Sequence, residues 1–145
     1  MKYANKLFSV MIGLILSTTA VKAQAGVVTT VVVKNQLAQP VSLVPSSVTQ
    51  ILGSGSPPSP IPSGATRTFT VTSPYSNIAS IHFSYTTGTK QCRFSTSLTT
   101  RTNLFGSIPN WTKSGSPTGS NVNCDAKITS VNSNNYNYTV EFTLR

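Results

Sequence analysis

Few residues in this chain are able to do chemistry. Its 145 residues include one histidine, His82, and two carboxylates, Asp125 and Glu141. A hydrolytic triad needs a nucleophile, a base and a carboxylate that orients the base, so any such site would rest on His82 and one of those acids. His82 falls between Ser80 and Ser84 on the polar parity of an alternating stretch, where a solvated imidazole is the ordinary outcome. Glycoside hydrolysis by paired carboxylates would need Asp125 and Glu141 together. Glu141, set between Thr139 and Thr143, reads as a solubilising residue on a wet face. No phosphate-binding glycine pattern or metal-ligand spacing is present. The expectation is a non-enzymatic protein with no catalytic residue, no metal and no cofactor.

Basic and aromatic residues offer more. Trp111, the single tryptophan, lies among glycines, prolines and serines between Thr99 and Asn121, a stretch expected to be the least regular. A loop tryptophan can stack on sugars or dip into an interface, or fold back over the open end of a sandwich. Arg93, Arg101 and Lys113, with Lys127 beyond them, are expected to join Trp111 in a binding surface. Its ligand would be a glycan, an anionic envelope polymer or another protein. Nucleic acid is excluded as a partner, because no dense Lys/Arg cluster occurs.

The formal net charge of +9 overstates that surface. Lys2, Lys6 and Lys22 belong to an N-terminal leader, which leaves eight cations against two acids, or +6. In the leader, Lys2 and Lys6 precede a short apolar run from Phe8 to Leu16, and Val21-Lys22-Ala23 and Ala23-Gln24-Ala25 offer small-residue cleavage sites. That pattern predicts a cleaved secretory signal peptide over residues 1–25, of bacterial type. The apolar run is too short to span a bilayer comfortably, and no later run approaches that length. Residues 26–145 are then expected to form one domain, secreted or periplasmic. In that setting Cys92 and Cys124 read as a disulfide. Closing a loop of roughly 30 residues contributes about 3–4 kcal/mol on a chain-entropy estimate. A metal site is disfavoured, since one His and two carboxylates do not readily complete a ligand set.

The elements that position these residues are strands. Ser and Thr make up 38 of the 120 residues from 26 to 145, and the Val, Ile, Tyr and Phe between them favour strands. Val27 to Lys34 reads as a buried strand, with Val41 to Val44 as its expected hairpin partner. The proline-rich stretch from Gly53 to Pro62 should cross the surface without pairing. Alternation resumes at Phe69 and Val71, at Ile81, Phe83 and Tyr85, and at Cys92 and Phe94, with Thr96 and Leu98 on the same inward parity. The C-terminal stretch alternates Tyr136, Tyr138, Val140, Phe142 and Leu144 against Asn137, Thr139, Glu141 and Thr143, after a turn at Asn132-Ser133-Asn134-Asn135. About seven or eight short strands with turns between them predict an all-β fold. Its form would be a single antiparallel β-sandwich, immunoglobulin-like or small-barrel-like, with one internal disulfide.

The C-terminal alternation resembles the last strand of fimbrial (chaperone–usher) subunits, which are exported, disulfide-bonded, incomplete immunoglobulin-like domains. Those subunits carry a tyrosine next to last and a glycine upstream, where this chain has Leu144 and Asn132. The stretch Val33-Lys34-Asn35 … Pro40-Val41, with Ile61-Pro62-Ser63-Gly64 and Phe69-Thr70-Val71, resembles the opening hairpin of aegerolysin-type sandwiches. Their aromatic, acidic membrane-binding segment has no counterpart here. The first expectation is an exported binding or surface-interaction module. A structural subunit assembled by strand exchange is the alternative, and a small membrane-active secreted protein the third.

Overall fold

A computed structural model describes residues 26–50 and 53–145. The leader expected over residues 1–25 lies outside them. Among the described residues nine strands pack as two sheets: β1 (Val28–Asn35), β2 (Ser42–Leu43), β3 (Thr49–Gln50), β4 (Thr66–Thr72), β5 (Ile78–Thr87), β6 (Lys90–Asn103), β7 (Gly106–Thr118), β8 (Cys124–Val131) and β9 (Tyr138–Leu144). One sheet has the order β4-β1-β9-β8, and the other runs β2-β5-β6-β7 with β3 also on β5. The all-β sandwich expected from the alternation is therefore present. Two of its nine strands have only two residues each.

The partners of β1 differ from expectation. Val41 to Val44 do not form a hairpin with it; Ser42 and Leu43 pair instead with Thr86 and Tyr85 in the opposite sheet. β1 lies between β4, antiparallel, and β9, parallel, with Val31 opposite both Phe69 and Val140. First and last strands are thus neighbours, the one parallel pair among the described residues. Residues directly opposite share a face, so Thr29, Val31, Val33 and Asn35 all point into the core beside Tyr138, Val140, Phe142 and Leu144.

The two inner faces meet in an aromatic cluster. Phe83 of β5 lies 5.8 Å from Phe94 of β6, 5.5 Å from Phe142 of β9 and 5.8 Å from Phe69 of β4. Phe94 and Phe142 are 4.8 Å apart. Edge-to-face and tilted contacts of this kind add about 0.5–1.5 kcal/mol each beyond area burial. Cys92 and Cys124 form the expected disulfide, joining β6 of one sheet to β8 of the other, and both are buried.

Two loops are more structured than their composition suggests. The proline-rich segment does pair, through bridges of Ser54 with Thr72 and Ile61 with Val41, and Ile61 is fully buried. Its carbonyls also have partners. The Asn35 amide donates to the carbonyls of Gln39, Ile61 and Pro62 at 2.9–3.1 Å, while its Oδ1 accepts from Leu37 N. Tyr85 Oη donates to Pro58 O at 2.6 Å.

Candidate functional site

The region from Thr99 to Asn121 is not an irregular loop. It comprises the outer part of β6, a two-residue turn and all of β7, in a β6–β7 ladder paired continuously from Gln91–Thr118 out to Asn103–Gly106. Prolines and glycines occur in β7 because it is the edge of its sheet, where unpaired backbone positions tolerate them. Gly115 has a further role: a Cβ there would collide with the Cys124 carbonyl oxygen, so glycine lets the β7 edge close against β8.

On β6 the buried residues are Cys92, Phe94, Thr96 and Leu98, and none follows. The β6–β7 hairpin therefore runs on past the core at one end of the sandwich. A cleft of about 520 Å³ opens there. Its first wall is the hairpin, through Thr100, Thr102 and Ser107; its second is the β8–β9 turn, through Asn134, Asn135 and Tyr136; Ser76 and Asn77 of the β4–β5 connection close the third side. Among the described residues every lining group is a hydroxyl, an amide or a phenol, with no carboxylate and no cation.

The turn wall is held by its own side chains. Asn132 Oδ1 accepts from Asn134 N at 2.9 Å, and Asn135 Oδ1 accepts from Asn137 N at 3.1 Å. These are the local bonds that asparagine offers in turns. Asn137 Oδ1 accepts from Val28 N at 2.8 Å and fastens the turn to β1. Tyr136 does not continue the inner face of β9 as the alternation predicted: it adopts φ +62°. A left-handed backbone is uncommon for a bulky side chain, and it takes Tyr136 out of the strand and places it in the cleft wall. Its Oη reaches Ser107 O at 3.4 Å.

Trp111 pairs with Leu98 and faces inward with it. It is half-buried against the core, and its Nε1 donates to Tyr136 O at 3.4 Å, so the indole supports the cleft from behind. The four cations do not join it on one surface. Arg93 and Arg101 project from the outer face of β6, about 26 Å apart at a strand's rise per residue. Lys113 pairs with Thr96 on the inward parity of the β7 edge and is exposed. Lys127 pairs with Glu141 on the outer face of the other sheet. Arg93 instead borders a shallow depression with His82, Ser47 and Gln91.

The titratable side chains are equally dispersed. Asp125 is 2.8 Å from Arg145, Glu141 is 2.7 Å from Lys34, and both lie on the four-stranded sheet. His82, exposed on the other sheet, shares a 3.1 Å hydrogen bond with Ser80. No known family model matches the sequence, and no curated protein is significantly similar to it.

The cleft residues were not singled out in the sequence, because serines, threonines and asparagines are abundant throughout. The available signal was Tyr136, an aromatic placed directly after four turn-forming polar residues.

Proposed function

We propose that this protein is an exported, non-enzymatic binding module that takes a neutral glycan in the cleft at the open end of its sandwich. The observation that carries this reading is the lining: hydroxyls and amides from three connected segments, one aromatic residue, and no charge. Sugar hydroxyls both donate and accept, as Ser, Thr and Asn side chains do, whereas an anionic polymer would find no cation in these walls. Export rests on the leader and is in keeping with the disulfide. The cleft is the preferred site over the basic residues first considered, since those four are spread over three faces and the two that share one, Arg93 and Arg101, are about 26 Å apart at a strand's rise per residue.

Calorimetry against a panel of neutral polysaccharides tests the reading. Thr102→Ala combined with Asn134→Ala is expected to weaken binding at least about tenfold, because each deletion leaves a ligand hydroxyl unpaired. Salt-dependent binding to acidic polymers alone, unaffected by these substitutions, would count against it.

Strand exchange has one observation in its favour. The N-terminal strand β1 occupies the middle of a sheet, parallel to the last strand, where a neighbour's strand could substitute for it. Pairing of β1 on both sides within its own chain supports the self-contained module instead.

A further inference from the structure

The β6–β7 hairpin ends in a feature that a glycan cleft does not need. Leu104 and Phe105 occupy its tip and are 99% and 97% exposed, and Ile108, on the returning strand, is 56% exposed. The tip is a shaped turn: Asn103 Oδ1 accepts from Phe105 N at 2.9 Å, and Gly106 takes φ +126°. Two large apolar side chains are thereby held out into solvent at the end of an arm.

We infer that this tip dips into an anionic lipid surface. Shape argues first: the feature is convex, and Leu104 and Phe105 offer only a few hundred Å² between them. A standard protein interface needs about 800 Å² from each partner, whereas a soft headgroup boundary accepts a small wedge. Charge argues second. Arg101 pairs with Ile108 just behind the tip, on the side of the arm away from Trp111. The first carboxylate in the whole sequence is Asp125, and both acids are engaged by cations on the other sheet. The arm therefore presents apolar groups backed by positive charge, with no nearby carboxylate to oppose anionic headgroups.

Cosedimentation of the purified, disulfide-intact protein tests this, using vesicles of phosphatidylcholine mixed with phosphatidylglycerol. The protein should pellet with them, and Leu104→Ser/Phe105→Ser should lower partitioning about tenfold or more, given the apolar area it removes. Both side chains are outside the core, so the double variant should keep its far-ultraviolet circular dichroism. In a separate Phe105→Trp variant, fluorescence should shift to the blue on adding the vesicles, while wild-type emission from Trp111 stays unchanged. Undiminished pelleting of the double variant, or no blue shift from Phe105→Trp, would overturn the inference. So would concentration-dependent self-association in solution that the double variant abolishes, since the occupant would then be a second copy of this chain.

Discussion

Strand β6 passes through two environments, and the change falls within two residues. From Cys92 to Leu98 alternate side chains are fully or almost fully buried against the opposite sheet, and from Thr99 to Asn103 none is buried. The ladder to β7 continues across the boundary without a break. Backbone hydrogen bonding thus persists where packing has stopped. The inner half is held by two sheets and a disulfide, and beyond Thr99 the outer half has one neighbouring strand, β7. The proposed binding surface and the stabilising core are therefore separate along a single strand, because the β6 residues that line the cleft are not those that fill the core.

The largest effect should come from the body. Deleting residues 27–34 removes Val31 and Val33, both fully buried, and leaves β4 and β9 unpaired along facing edges. Loss of cooperative folding is expected, seen as the absence of a sigmoidal thermal transition. A monomer that still melted cooperatively would show that the four-stranded sheet can close without its central strand. Recovery of the transition on adding a peptide of the deleted sequence would favour strand exchange.

A pair of substitutions within β6 sharpens the contrast. Leu98→Ala empties a fully buried position and should cost about 2–5 kcal/mol. Arg101→Ala, three residues along the same strand, should stay within about 0.5 kcal/mol. Cys92→Ser belongs with the first: loss of the bridge to Cys124 should cost about 3–4 kcal/mol, provided the reduced chain gains the expected freedom. Urea unfolding compares all three. Equal costs for Leu98 and Arg101 would mean that the outer hairpin is as well supported as the core.

The sequence made the body legible and the open end much less so. Period-two alternation put Phe83, Phe94, Phe142 and both cysteines on inward parity, and each is buried. That works because one wet and one dry face impose the pattern on every strand they share. Order within the sheets was hidden: nothing local in Val27 to Lys34 reveals that its partners lie at Phe69 and Val140, since pairing depends on contacts remote in sequence. The misreading of Thr99 to Asn121 has a different cause. Gly106, Pro109, Gly115 and Pro117 are breakers in a central strand, but β7 is an edge and needs Gly115 to approach β8. The five candidate residues came from chemical type, with alternation putting Arg93 and Lys127 on outward parity, and neither says that β6 and β8 belong to different sheets.

Alkaline pH should act on the body. Burial raises the Tyr85 hydroxyl well above its ordinary value of 10.0 and raises Tyr138 as well, with the Thr29 and Thr96 hydroxyls beside Tyr138 acting the other way. Each phenol stays protonated in the folded chain at pH values where the unfolded chain has lost the proton. Stability is then complete below about pH 10 and falls as pH rises toward the folded values, by up to about 1.4 kcal/mol per pH unit per tyrosine. Tyr138→Phe should flatten that decline in urea midpoints measured between about pH 8 and pH 11. An unchanged slope would assign the alkaline loss to other groups.

The smallest effect on stability should come from Thr102→Ala, and its smallness is the point. Thr102 pairs with Ser107 near the end of the ladder, and their hydroxyls are 3.5 Å apart on an exposed arm. An exposed hydroxyl with so long a hydrogen bond contributes little, so the change should stay within about 0.5 kcal/mol. Amide hydrogen exchange provides the matching structural measure. Backbone amides from Thr99 to Asn103 should exchange through local opening, whereas those from Cys92 to Leu98 should wait for global unfolding. If Thr102→Ala leaves stability intact while weakening glycan binding, the outer hairpin serves recognition without supporting the fold. If it instead destabilises the protein as Leu98→Ala does, the packing boundary after Leu98 is not an energetic one, and the division of β6 into a structural and a recognition half fails.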